Sequence, residues 1–319
     1  MATKENTLRH FIQQELNKPC HSSARALADA LLRRHGERVV AILFYGSCLR
    51  QEPDEDPPEG IQDFYVIVDR FKDEYQGWCS SLANRLLPPN VFYVERRWQD
   101  RKVRAKYAVI SLKQWRHFTS AKAFHPWLWA RFAQPTALLY SRDSDGASEI
   151  RDGVAQAVTT MLGASLPLIG KDAKPRDLWL EALSQTYQAE LRPERSDRAT
   201  SIYKIDSKRY DDITSLALKE VDRLPVKMTA DGRIETSFSV GDKRRTKRHW
   251  TFRRLLGKPV SVLRLMKSLF TFDGGVDYAL WKVERHTGVQ VPISKFERRH
   301  PILMSPKLLW RVYRLSAVR

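Results

Sequence analysis

The chain has 319 residues, 42% of them hydrophobic and 10% aromatic, a composition that suits a folded protein and excludes a disordered one. Its 55 Lys and Arg against 37 Asp and Glu give a formal charge of +18, so the expected partner is anionic: a nucleotide, a nucleic acid or an acidic lipid. The three cysteines (Cys20, Cys48, Cys79) have no CxxC spacing and indicate neither a zinc site nor a disulfide framework, which fits a reducing cytoplasm.

The N-terminal stretch MATKENTLRHFIQQEL has no apolar core of the signal-peptide kind. No apolar run approaches the roughly 20 residues needed to span a bilayer. Membrane contact is therefore expected to be peripheral. Leu8, Phe11, Ile12 and Leu16 recur at helical spacing, and a break at Ser22-Ser23 precedes a second predicted helix, Ala24 to Arg34. An apolar run from Val39 to Tyr45 reads as a buried strand, followed by Gly46-Ser47. The acidic, Pro-rich loop QEPDEDPPEG then leads to a second apolar run headed by Asp63. That loop reads as a solvated surface excursion.

A helix is predicted from Glu74 to Leu87, ended by Pro88-Pro89, with strands at Val91 to Glu95 and Val103 to Ser111. Helices follow around Trp115 and Phe118 and near Pro126 to Phe132, then a short strand in QPTALLYSRD. Trp115, Trp127, Trp129 and Trp179 are spaced as core aromatics. Helical periodicity covers Ala147 to Leu162, Arg176 to Ala189 and Tyr203 to Leu224. Asp231-Gly232 marks a short hairpin, and the basic run GDKRRTKRHW leads into Lys258 to Phe270. A basic amphipathic helix, Leu303 to Val318, comes last. Its Trp, Tyr, Leu and Arg mixture fits an interfacial helix on anionic lipid. From Gly241 onward there are 19 Lys and Arg against 5 Asp and Glu, so the positive charge is concentrated there.

The expected class is α/β (α+β), with a small mixed sheet. Three regions are expected: an α/β domain over 1–145, a mainly helical second domain over 146–240 (winged-helix-like in one reading), and a basic, membrane-associating region over 241–319. The chemistry resides in the first. A Gly-Ser turn lets backbone N–H groups approach a phosphate, with the Ser47 hydroxyl as a further donor. A carboxylate on the adjacent strand, Asp63, can hold Mg²⁺ against the same phosphates. Asp69, six residues further along that strand, is too far away to share the ion and reads as a strand-end cap.

This arrangement resembles the polymerase-β-like nucleotidyltransferases, with two departures: a longer gap from Ser47 to Asp63, and Tyr65 where many members carry a second carboxylate. Over most of its length the chain is similar to the mitochondrial-type phosphatidate cytidylyltransferases, the CDP-diacylglycerol synthases of the translocator assembly and maintenance family, here in a bacterial form. FYGSCL corresponds to that family's YGSG element and QDFYVIVD to its Asp-headed strand. KYAVIS holds its Lys-Tyr pair as Lys106-Tyr107, and RFAQPTALL looks like its arginine-to-proline element. TYQAELRPE places Glu190 at the family's later acid and Arg192 at its arginine. RLMKSLFTFDGGVDYALWKVERH resembles its serine-leucine-lysine-glycine segment, with Lys267 and Lys282 in corresponding places. Cys48 after Gly-Ser, Glu190 in place of Asp, and Leu269-Phe270 in place of a glycine depart from the pattern.

The resemblance implies transfer of CMP from CTP to phosphatidate, with Mg²⁺ as cofactor and pyrophosphate as the other product. Asp63 and Glu190 become the expected metal ligands and, with Lys106, the catalytic set. Tyr45, Gly46, Ser47, Lys106 and Tyr107 become the nucleotide contacts. Arg192, Arg264, Lys267 and Lys282 become the contacts to the lipid phosphate, since a positioned cation gives a phosphate a charge-assisted hydrogen bond. The implied location is cytoplasmic, on the inner face of a membrane with an anionic surface. Two alternatives stay open: transfer to RNA or tRNA, with the basic region tracking phosphates, and a non-catalytic nucleotide- or lipid-binding protein.

Overall fold

The computed structural model describes residues 7–50, 60–69, 87–190, 198–221, 223–271 and 294; for 262 and 265–271 only the backbone is described. The predicted helix at 74–87 therefore falls almost wholly outside the described residues, and the predicted C-terminal helix lies entirely outside them.

The chain opens with two helices, α1 (Leu8–Leu16) and α2 (Ser22–His35). The break between them falls at 17–21 rather than at Ser22-Ser23, because the His21 ring accepts the Ser23 N–H at 3.0 Å and caps α2. The apolar runs then form β1 (Val39–Tyr45) and β2 (Gln62–Val68), followed by the hairpin β3 (Asn90–Trp98) and β4 (Arg101–Ser111). Two helices, α3 (Leu112–Thr119) and α4 (Trp129–Phe132), precede β5 (Thr136–Ser141). Ser111 and Gln114 form a reciprocal cap at the start of α3.

These strands make a mixed five-stranded sheet in the order β3-β4-β2-β1-β5, with β2 and β4 parallel and the other pairs antiparallel. The sheet is buried on both faces. Strand alternation sends Leu43, Tyr65, Ala108 and Ile110 toward α5 (Ser144–Ser165), α3, α4 and α1. It sends Phe44, Phe64, Tyr107 and Val109 to the opposite face, under α2.

Beyond α5 come β6 (Asp172–Ala173), α6 (Pro175–Ala189), α7 (Arg198–Ile205) and α8 (Ser207–Glu220). The stretch predicted as one helix from Tyr203 is two, parted at Asp206. The hairpin predicted at Asp231-Gly232 is present as β7 (Val226–Met228) and β8 (Ile234–Thr236), with Gly232 at φ +76°. With β6 it forms a three-stranded sheet, β6-β8-β7. A 32-residue helix, α9 (Val240–Thr271), then runs unbroken through Pro259, taking the basic run and the stretch that follows it into one element. The side chains around that proline, Leu255, Leu256 and Lys258, are exposed, so water can satisfy the carbonyl that Pro259 leaves unbonded.

The larger hydrophobic cluster draws on Leu8, Leu43, Trp115, Val158, Trp179 and Trp250, and so on elements from both sides of residue 145. Two close approaches hold it together. The indole of Trp115 lies directly against Gly153 and donates to the Glu149 carbonyl at 3.2 Å, pinning α3 on α5. Gly257 of α9 sits so close to the Ala189 carbonyl oxygen that a Cβ there would overlap it. The buried pair Arg209–Glu15 ties α8 to α1.

Candidate functional site

Gly46 has φ +90°, a left-handed conformation that lets the chain turn sharply out of β1 into a single 3₁₀ turn, Ser47–Arg50. In the sheet register Tyr45 lies opposite Asp63, and Asp63 opposite Lys106, so the turn, the acid and the lysine meet at one end of the sheet. A Cβ on Gly46 would sit 3.3 Å from Asp63 Oδ2, which shows how closely the turn passes the carboxylate. Lys106 Nζ lies 3.7 Å from Asp63 Oδ1. Ser47 is exposed, Cys48 points inward toward the Ile61 carbonyl, and Arg50 pairs with Asp206 at 2.8 Å, tying the turn to the start of α8.

Beside this end of the sheet is a cleft of about 200 Å³. Tyr45, Tyr65 and Trp127 form its aromatic wall, and Lys106, Arg131 and Arg264 bring cations to it. Glu190 also lines the cleft, at the point where α6 ends and the chain becomes extended. Glu190 and Asp63 are both near enough to Arg131 to raise its pKa electrostatically, behind the larger effects of burial and of Tyr65 and Tyr45.

Arg131 is firmly placed. It donates to the Tyr65 hydroxyl at 3.2 Å and to the Trp127 carbonyl at 2.7 Å. Its guanidinium also lies over the rings of Tyr45 and Tyr65, at 5.6 and 5.9 Å. Burial pushes the Tyr65 phenol up, so it remains a neutral hydroxyl that accepts from the arginine. Arg264 stacks over Trp127 at 4.9 Å, and its buried Nε makes no hydrogen bond. Burial pulls Arg264 down to about 10, with Tyr65 and Glu190 opposing the shift and Arg131 adding to it; the group stays cationic at neutral pH. Two guanidinium groups in a partly desolvated cleft, one with an unsatisfied N–H, favour an anion between them.

Of the residues expected from the sequence, Tyr45, Lys106, Glu190 and Arg264 line the cleft; Gly46, Ser47 and Asp63 do not line it but adjoin Tyr45 and Lys106, which do. Tyr45 contributes an aromatic ring that packs at a tilt against Tyr65 and Phe132. Tyr107 is a correction: its side chain is 1% exposed and packs on Phe92 and His35 under α2, on the other face of the sheet from Lys106. Strand alternation sends the Lys106 and Tyr107 side chains to opposite faces of the sheet. Asp69 lies at the far end of β2, ion-paired with Arg142, as a strand-end role requires. Arg192 and Lys282 lie outside the described residues, and Lys267 is described only as backbone in α9. Arg131 is the residue the sequence reading missed. Its signal was a lone charge inside the apolar stretch PWLWARFA, which must find buried partners.

No protein-family model matches the chain, and no curated protein matches it. The site therefore rests on its own geometry. Among the described residues no three His, Cys, Asp or Glu side chains form a group that could hold a metal alone. The donor set does fit Mg²⁺, which is commonly held by one or two carboxylates together with substrate phosphates. Asp63 is partly exposed beside a glycine turn, and Glu190 lines the adjoining cleft.

Proposed function

We propose that the protein is a Mg²⁺-dependent nucleotidyltransferase that transfers CMP from CTP to phosphatidate, releasing pyrophosphate and forming CDP-diacylglycerol. One observation carries this reading: Asp63, the Gly46-Ser47 turn and Lys106 meet at the edge of a cleft walled by Arg131 and Arg264. An acid beside a phosphate-sized backbone turn suits a nucleoside triphosphate. The cations suit a second, anionic reactant.

Asp63 and Glu190 would hold Mg²⁺, which supplies charge neutralisation on the triphosphate. Gly46 and Ser47 offer backbone and hydroxyl donors to the phosphates, and Lys106 offsets their charge. Arg131 and Arg264 bind and orient the acceptor phosphate. An oxygen of that phosphate forms the bond to the α-phosphorus as the bond to the β-phosphate breaks. The attacking oxygen is already anionic, so positioning and charge neutralisation suffice and no general base is needed.

The membrane partner is supported by α9, where Phe252, Leu255, Leu256 and Leu263 are exposed at 57, 63, 53 and 48% among basic residues. No helix among the described residues is long and apolar enough to cross a membrane. The exposed Arg244, Arg245, Lys247 and Arg248 favour a second reading, RNA as the acceptor.

The deciding experiment measures pyrophosphate release from each of the four nucleoside triphosphates with Mg²⁺, with and without phosphatidate in detergent micelles. Release from CTP that requires phosphatidate and disappears in Asp63→Ala is the expected result. Release stimulated by RNA without phosphatidate moves the assignment to the second reading. No release under any condition would sink both.

A further inference from the structure

A second cleft, of about 630 Å³, lies between α5, α9 and the turn that follows α8, and it shares no lining residue with the first. Its volume is in the range of small-molecule sites. Along α9, Arg245, His249 and Arg253 recur every four residues and so line it from one helix face. Opposite them α5 presents Gln156, Thr159 and Thr160, which bond to one another and to backbone carbonyls and so give the cleft a polar wall. Val221 and Leu224 form an apolar wall.

The charge of this cleft is unbalanced. Among the described lining residues Glu220 is the single carboxylate, and it is bonded to Arg9 at 3.2 Å. Asp242, the acid that opens α9, is taken up by the Ser239 N–H and hydroxyl at 3.0 and 2.7 Å. Arg253 is partly buried, lies 4.8 Å from the Trp250 ring centre, and makes its polar contact with a backbone carbonyl, that of Phe124 at 2.8 Å. It makes no ion pair among the described residues. A partly buried guanidinium whose hydrogen bond, among the described residues, goes to an uncharged carbonyl gains from an anionic ligand.

We infer that this cleft binds a soluble organic phosphate, the phosphate held by Arg245, His249 and Arg253 and the carbon body lying against Val221 and Leu224. The site is independent of the proposed transferase reaction, and its test reads the cleft directly. Phenyl phosphate is titrated into the full chain while the His249 imidazole signals, assigned with His249→Gln, are followed by NMR. Saturable shifts are expected, at concentrations several-fold lower than inorganic phosphate requires. Arg245→Ala, an exposed position that does not threaten folding, should raise the midpoint at least tenfold, whereas Asp63→Asn should leave it unchanged. Shifts that sodium chloride of equal ionic strength reproduces would overturn the site. So would shifts produced by phosphatidylglycerol vesicles but not by phenyl phosphate, which would make the face a lipid surface instead.

Discussion

Arg131 donates a hydrogen bond to the Tyr65 hydroxyl at 3.2 Å, so the strand position two beyond Asp63 brings a cation, not a second carboxylate, to the cleft. The proposed reaction, between two phosphate-bearing reactants, would gain from that exchange, because each brings negative charge that has to be offset.

The first prediction separates the two partners of that bond. Tyr65→Phe leaves Arg131 on the Trp127 carbonyl and removes one neutral-acceptor hydrogen bond, worth about 1 kcal/mol. Pyrophosphate release from CTP and phosphatidate should fall less than about tenfold. Arg131→Lys loses the planar fork and both ring contacts, and should cost about 100-fold or more. Equal losses in the two variants would contradict this arrangement.

Asp63 and Lys106 form a partly exposed pair at 3.7 Å, with side chains 30% and 42% accessible. Such pairs contribute about 0–1 kcal/mol to stability. Asp63→Asn and Lys106→Met should therefore melt close to the parent temperature while reducing turnover by about 100-fold or more, on the scale of lost transition-state charge stabilisation. Thermal denaturation run beside the activity assay gives the comparison.

Gly257 carries a structural prediction. A methyl group there meets the Ala189 carbonyl oxygen, backbone that cannot swing aside, so Gly257→Ala must push α9 off the end of α6. The overpacking cost is about 1–3 kcal/mol. The shift also parts Glu190, just past the end of α6, from Arg264 on α9, so activity should fall further than the melting temperature alone explains.

Stability should fall on mild acidification through His125. Burial pushes this residue down to about 4 from the ordinary 6.5, and its Nδ1 accepts the Trp127 N–H at 3.3 Å, which requires the unprotonated nitrogen. Between those values the unfolded chain binds a proton that the folded one refuses. The contribution is thus fully present above pH 6.5 and is lost as pH falls toward 4. Its size is on the order of 3 kcal/mol. Denaturant midpoints for the parent and His125→Gln across that interval should converge at the acid end.

The sheet strands that build the site were legible because each is an apolar run with a clear stop: Val39 to Tyr45 before Gly46, and the run headed by Asp63. Lys106 and Tyr107 could not be separated by pattern recognition, although period-two alternation already places adjacent strand residues on opposite faces. Arg131 needed the fold, since its partner Tyr65 lies 66 residues earlier in the chain. The continuity of α9 was hidden by Gly257 and Pro259, residues that punctuate most helices. Here the glycine is required by the crossing over Ala189, and the proline falls where its freed carbonyl can meet water.

Trp115 and Gly153 fit together as the largest side chain against none at all, across the contact between α3 and α5. Neither position can drift on its own: an alanine at 153 has no room until the indole at 115 gives way to something smaller. Across relatives of this chain the two columns should therefore change together or not at all, tryptophan always with glycine. Laboratory evolution from Gly153→Ala should find its first suppressors at position 115.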